Sequence, residues 1–238
     1  MRETLNELEQ WGTEVIFGRA RGFRATVMRI LLWALSGIYR IGVAVRLKCY
    51  RKGAKYQHYL GTQVISIGNL TVGGTGKTPM VEMFARTLRE RGRKPAILSR
   101  GYKSKKLGKP QEWLRKSNGL PIPADEMPKV VSAGGEPLIK VRYAGDEPWM
   151  LAKNLPGVSV IVDKNRVKGG SFAGGELNAD TLILDDGLQY LNLAHTTDVV
   201  LVDQNSPFGT GRILPRGTLR EPAKDLRRAD YIFITKCD

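Results

Sequence analysis

The sequence predicts an α/β fold in which helices cover both faces of a mostly parallel β-sheet. Short apolar runs, typical of buried strands, alternate with segments of helical periodicity. Several runs end in glycine or in charged residues, at the edge where open α/β sheets bind ligands. The predicted strands are 64–68, 95–99, 129–132, 158–162, 181–184, 198–203 and 231–235, the last as a buried core strand.

Residues 1–60 are predicted to form an amphipathic helical arm, separate from a core over residues 61–238. The arm holds eleven Lys/Arg and four Glu, so about +7 of the net charge of +15. Its apolar stretch 30–39 lies between Arg29 and Arg40, and ten uncharged residues are too few to cross a bilayer, which needs ~20. Two interpretations stay open: an interfacial helix on anionic lipid, or a helix packed on the protein's own core with its arginines reaching water.

The positive charge requires an anionic partner, which is a membrane surface, a phosphorylated substrate or nucleic acid. Nucleic acid is the weakest of the three, because the sequence has no aromatic-plus-basic RNA-binding motif and no zinc-finger spacing. Residues 103 to about 124 are polar and basic and predict a surface loop, with Lys103, Lys105, Lys106 and Lys109 adding charge there.

A glycine-rich loop between strand 64–68 and a helical segment predicts a phosphate-binding site. The pattern ends in the full Gly-Lys-Thr of a P-loop, although its usual first glycine is replaced by Thr71. In such loops backbone N–H groups and the lysine hold a nucleotide's phosphates, and the final hydroxyl ligates Mg²⁺. The predicted nucleotide-binding residues are Thr71, Val72, Gly73, Gly74, Thr75, Gly76, Lys77 and Thr78. With this loop the fold is predicted to be the three-layer α/β/α sandwich of P-loop NTPases.

Two pairs of acidic residues are candidates for the chemistry. Asp185 and Asp186 end an apolar strand about a hundred residues after the P-loop, which is the form of a Walker B element that holds Mg²⁺. Asp146 and Glu147 follow a glycine at the start of a helical segment. These two carboxylates either cap the helix or act as a general base or metal-associated group at the γ-phosphate.

Other polar residues carry less information. Arg100 follows strand 95–99 and either contacts phosphate or is an ordinary surface arginine. The two histidines, His58 and His195, have no partner at ligand spacing and are expected at the surface. Residues 235–238, Thr-Lys-Cys-Asp, match the short guanine-reading pattern of GTPases.

Six motifs together resemble the tetraacyldisaccharide 4′-kinase family of lipid A biosynthesis. None after the P-loop is decisive alone, but the ordered set is highly specific and covers nearly the whole chain. The motifs are 69–79 (NLTVGGTGKTP), 99–102 (SRGY), 145–148 (GDEP), 184–189 (LDDGLQ), 211–215 (GRILP) and 219–222 (LREP).

The resemblance implies that ATP is the donor and the 4′-hydroxyl of a lipid disaccharide 1-phosphate is the acceptor. It implies that Asp146 is the general base with Glu147 beside it, that Asp185 and Asp186 lie near Mg²⁺, and that Arg220 and Glu221 lie at the active-site cleft. Thr71 becomes the family's own form of the loop. The arm is then expected to meet the cytoplasmic face of the bacterial inner membrane as a peripheral contact.

Two departures from the family pattern stand out. Tyr190 occupies a position where the family usually has histidine, so the phenol is expected to replace the imidazole in substrate or charge handling or to leave that role unfilled. The family also continues past residue 238 into a second lobe, which closes over the nucleotide. The chain is therefore interpreted as truncated or naturally shortened.

Two alternative functions follow from these features. The first is a regulatory P-loop GTPase or metallochaperone, which residues 235–238 favour and which would prefer GTP. The second is a catalytically impaired nucleotide-binding module at the membrane surface, which would bind ATP without transferring its phosphoryl group.

Overall fold

The computed structural model describes residues 2–102, 104–107 and 127–237. The described residues divide into two compact units, one within the ranges 1–55, 69–75 and 200–238, the other within 56–68 and 76–199. The predicted loop over 103–124, except residues 104–107, lies outside the described residues together with Asp238.

The first unit begins with two helices, α1 (Arg2–Phe17) and α2 (Phe23–Arg51). Val15, Ala20 and Ala25 form a small buried cluster between them. Gly18 and Gly22 adopt positive φ angles of 80° and 103°, which lets the chain reverse between the helices. The N-terminal arm is therefore helical, as the sequence predicts.

The strands are β1 (Gln63–Gly68), β2 (Pro95–Ser99), β3 (Lys129–Ala133), β4 (Ser159–Val162), β5 (Thr181–Asp185), β6 (Thr197–Asp203) and β7 (Tyr231–Thr235). They form one sheet in the order β3-β4-β2-β5-β1-β6-β7. The pairs β1–β5, β2–β5 and β2–β4 are parallel, whereas β3–β4 is antiparallel. This sheet confirms the predicted α/β fold.

The remaining helices are α3 (Lys77–Glu90), α4 (Val141–Ala144), α5 (Asp146–Asn154) and α6 (Arg166–Glu176), with a 3-10 helix over Ala223–Arg228. Helix α3 buries Val81 and Ala85 on one face, and Gly92 follows it with a φ of 79°. β1 and β5 are almost fully buried, because parallel strands covered on both faces exclude water.

Strand β7 forms where it is predicted, but the expectation that it is a buried core strand is wrong. Tyr231, Ile232 and Ile234 are 61%, 50% and 63% exposed. An apolar run predicts a strand, but the burial of that strand depends on which other segments pack on its faces, and the run does not show this. β7 stands at one end of the strand order, so it has a paired strand, β6, on one side within the described residues.

Candidate active site

The phosphate-loop lysine lies beside the acidic end of β5. Lys77 is the first residue of α3, after Gly76 in the left-handed conformation at the N-cap. Its Nζ atom is 3.7 Å from Asp186 Oδ1, with the two side chains 16% and 36% exposed. Thr78 follows as the second residue of the helix. The sequence therefore brings the P-loop lysine and the second strand-end aspartate into one ion pair.

The two aspartates differ in environment. Asp185 is 7% exposed and accepts a hydrogen bond from Ser99 Oγ at 3.2 Å. Burial, followed by the charges of Glu147 and Asp186, raises the pKa of Asp185 to about 6. Asp186 has a φ of 56°, a backbone strain that turns the chain directly after the strand. A negative cluster with a strained turn is a suitable place for a cation.

Asp146 and Glu147 form the first turn of α5 and are exposed. The N-cap is Gly145, with a φ of 93° and no side-chain cap hydrogen bond. Asp146 therefore does not occupy the cap position that the capping interpretation requires. Because Glu147 contributes to the raised pKa of Asp185, its carboxylate belongs to the same electrostatic cluster.

Arg166 is a candidate residue that the sequence reasoning did not single out. It is 6% exposed at the start of α6, and its Nε atom has no hydrogen-bond partner within the described residues. Burial lowers the pKa of Arg166, and Arg100 acts in the same direction, whereas Tyr190, Asp185 and Asp186 act in the opposite one. The available signal was its place where the segment after β4 leads into α6, at the same edge of the sheet as Arg100, which follows β2 directly.

Tyr190 supports this arginine. Its ring lies 4.9 Å from the Arg166 guanidinium carbon. Its hydroxyl accepts a hydrogen bond from Arg166 N at 3.0 Å and donates one to Asn165 Oδ1 at 3.3 Å. The phenol, at the position where the resemblance implies a histidine, is thus bonded to the N-terminus of α6.

The first part of the loop contacts residues 218–220 within the first unit. Thr71 and Leu219 form an antiparallel bridge, Val72 N donates to Thr218 O at 2.7 Å, and Arg220 N donates to Leu70 O at 2.7 Å. Arg220 is therefore held next to the loop. The Thr75 hydroxyl is buried without a hydrogen-bond partner within the described residues.

Glu221 is 4% exposed, and its carboxylate is bonded to the Arg228 guanidinium. Burial raises the pKa of Glu221, while Arg228 opposes this shift. The ion pair connects the 219–222 segment to the 3-10 helix.

The two histidines differ. His58 is exposed, as predicted. The surface expectation is wrong for His195, whose side chain is 6% exposed and contacts Asp198 Oδ1 at 2.9 Å and Tyr190 O at 3.1 Å. Asp198, three residues after His195, could have indicated this partner from the sequence, because it is near in the chain and opposite in charge to a protonated imidazole.

Comparison with known proteins identifies the family. The family model for tetraacyldisaccharide-1-P 4′-kinase matches residues 28–238. The chain belongs to this family. A tetraacyldisaccharide 4′-kinase of Geobacter sulfurreducens is 38% identical over 92% of the chain, and one of Desulfotalea psychrophila is 41% identical over 86%.

A solved structure agrees with this family assignment. LpxK from Aquifex aeolicus, in complex with ATP, is 36% identical and matches 88% of the chain with a TM-score of 0.74. The chain spans only 57% and 54% of the two kinases above and 59% of the solved chain.

Proposed function

We propose that the protein is an ATP-dependent lipid kinase that phosphorylates the 4′-hydroxyl of a tetraacyldisaccharide 1-phosphate in lipid A biosynthesis. The observation that carries the proposal is the contact of Lys77 with Asp186 beside the buried Asp185. This pairs a P-loop lysine with a strand-end acidic pair, which is the arrangement of phosphoryl-transfer sites. Family membership supplies the acceptor.

The loop from Thr71 to Thr78 is proposed to bind the triphosphate of ATP. Its backbone N–H groups and the N-terminus of α3 favour anionic oxygens, and Lys77 adds a positive charge at the β- and γ-phosphates. The Thr75 hydroxyl, which is buried and has no hydrogen-bond partner in the described part of the chain, is a polar group suited to the same ligand. Arg166 and Arg100 are proposed to stabilise charge on the transferred group.

The donor set fits Mg²⁺, a hard cation that prefers oxygen ligands. Asp185 is buried among like charges, and a cation would offset the cost that raises its pKa. Thr78, Asp185 and Asp186 would hold the ion, which neutralises charge on the phosphate oxygens when it is bound.

Asp146 is proposed to accept the proton of the acceptor hydroxyl, with Glu147 supporting its orientation and the local charge. The hydroxyl oxygen forms a bond to the γ-phosphorus, the bond to the β–γ bridging oxygen breaks, and ADP leaves. The exposure of Asp146 on the first turn of α5 supports this role, because an acceptor from solvent can reach its carboxylate.

The arm is proposed to hold the protein peripherally on the anionic cytoplasmic face of the inner membrane. Although the uncharged stretch 30–39 alone is too short to cross a membrane, the whole of α2 is the one described helix that is long and apolar enough, a test that core helices and leader segments also pass. Its middle residue Ser36 donates to Ile213 O at 2.9 Å and accepts from Arg216 N at 2.9 Å. Because one side of the helix is bonded to protein, an interfacial position fits better than a bilayer-spanning one.

The test is transfer of label from γ-labelled ATP to the lipid disaccharide 1-phosphate in mixed micelles with Mg²⁺. It uses the chain as it stands and the same chain extended by the C-terminal part of the Geobacter sulfurreducens relative. If neither form labels the lipid, the proposal is wrong. ATP binding without transfer would favour the impaired membrane module, and a preference for GTP would favour the GTPase alternative.

A separate variant tests the base. Asp146→Asn should lower kcat by roughly 10²–10⁴-fold while leaving ATP affinity nearly unchanged, because general base catalysis contributes about that factor. Glu90→Gln, at the exposed last residue of α3, is the control and should leave kcat unchanged. Full turnover by Asp146→Asn would remove Asp146 from the mechanism.

A further inference from the structure

Lys129, the first residue of β3, connects two segments that border the candidate active site. Its ammonium donates to Ser104 Oγ at 2.7 Å and to Lys105 O at 3.1 Å, both in the segment after β2. It also donates to Tyr143 O at 2.9 Å, at the end of α4. Three acceptors use all three ammonium protons, so none is left for a ligand.

The two segments also touch through their backbones. A Cβ atom at Gly145 would lie 3.3 Å from Tyr102 O and 3.9 Å from Gly101 Cα. Lys105 N donates to Arg142 O at 2.9 Å. The first segment begins directly after Arg100, and the second ends directly before Asp146. A displacement of either segment therefore changes the distance between the end of β2 and the start of α5.

We propose that Lys129 is a positioning residue that holds Asp146 and Glu147 at a fixed distance from the carboxyl edge of the sheet. The inference rests on the proposed kinase function. It assigns to Lys129 no contact with substrate, only the placement of the turn that carries the proposed base. Misplacing a reacting group by about 1 Å can cost about a hundredfold in rate, so such a connection has a functional consequence.

The three acceptors around the Lys129 ammonium suit a lysine better than an arginine. The ammonium is a compact charge whose three protons point to acceptors around one centre, whereas an arginine presents a planar fork. Burial lowers the pKa of Lys129, with Asp163 opposing the shift and Lys164 adding to it. A cation that loses water must regain hydrogen bonds from the protein, and here the two bordering segments provide them.

The experiment compares Lys129→Met and Lys129→Arg with the control Arg93→Met. Arg93 is also a multiply bonded cation, donating to Asp180 Oδ1 at 3.1 Å and to Thr181 Oγ1 at 2.8 Å. It lies just before β2, so it connects the amino ends of β2 and β5, away from the carboxyl edge. Its loss should cost stability without moving α5.

Amide hydrogen exchange is measured for peptides that cover 104–107 and 141–147. Lys129→Met should accelerate exchange in both segments together by about tenfold or more, whereas Arg93→Met should leave both unchanged. In the lipid phosphorylation assay, Lys129→Met should lower kcat by about 10- to 100-fold with the KM for ATP within about twofold. Lys129→Arg should not restore kcat, because its fork cannot reproduce the three bonds.

The proposal is overturned if Lys129→Met leaves exchange in both segments unchanged. It is also overturned if kcat falls no further than in Arg93→Met at matched thermal stability. The exchange arm needs no turnover, so it decides the connection even if the native chain fails to phosphorylate the lipid. That second failure would count against the proposed function and not against the placement by Lys129.

Discussion

The buried carboxylate of Asp185 suits a metal ligand, but in the absence of a metal its negative charge lowers the free energy of unfolding. Its pKa in the folded protein is about 6, above the ordinary value of 3.8, because it is buried next to other carboxylates. Between about pH 4 and pH 6 the folded state holds a proton that the unfolded state has released, so stability falls as pH rises through this window. At neutral pH the ionised group costs on the order of 2–3 kcal/mol.

Asp185→Asn should therefore raise the free energy of unfolding at pH 7.5 by up to about 2 kcal/mol without Mg²⁺, and by little at pH 4. The measurement is denaturant unfolding at both pH values in EDTA. Asp180→Asn is the contrast. Burial acts to raise the pKa of Asp180, but hydrogen bonds from Thr181, Arg93 and Lys94 outweigh it and lower the pKa. Asp180→Asn should therefore destabilise the protein more at neutral than at acid pH. A destabilised Asp185→Asn at pH 7.5 would contradict the argument.

At the scale of elements, the end of β1 packs directly against the turn that follows the acidic pair. A Cβ atom at Gly68 would lie 2.7 Å from Leu188 Cβ and 2.9 Å from Leu188 N. The latter is a backbone atom, so the clash cannot be relieved by a rotamer change. Only glycine lets β1 and the turn after β5 approach this closely.

Gly68→Ala should destabilise the protein by about 1–3 kcal/mol, the usual cost of overpacking a core site. Gly175→Ala is the matched control, since a Cβ at this exposed position of α6 meets nothing within 4 Å. It should be neutral or stabilising by about 0.5–1 kcal/mol. Both are measured by the denaturant midpoint, and equal stability of the two variants would refute the packing argument.

Local sequence patterns predicted the elements well because each pattern acts over a few residues. The apolar runs become strands, and the glycine-rich stretch does lie between β1 and α3. Contacts between distant residues were not accessible in this way. The exposure of β7, the burial of His195 and the stacking of Tyr190 on Arg166 all depend on which segments meet in three dimensions. The roles of the individual site residues stay predictions.

At the scale of the whole molecule, the net charge of +15 and the exposed apolar face of the arm both favour binding to an anionic membrane surface. Helix α2 presents Ile30, Ile38 and Ile41, each 62–68% exposed, on one face. With 3.6 residues per turn, Ser36 and the buried Leu47 fall on the opposite face. Apolar burial in the headgroup region and attraction of the arginines to anionic lipid are therefore both available to the same helix.

We expect the protein to bind vesicles of phosphatidylcholine that contain about a third phosphatidylglycerol. Binding should be weaker at about 0.5 M salt than at about 0.1 M, where the screening length is ~10 Å, because salt screens the attraction between the arginines and the anionic lipid. Trp33→Ser with Ile38→Ser should weaken binding by about tenfold or more, because each side chain loses an apolar contact. Ile234→Ser is the control, since Ile234 is 63% exposed on β7. Vesicle co-sedimentation measures all three proteins, and equal affinities for the arm variant and the native chain would rule out α2 as the membrane contact.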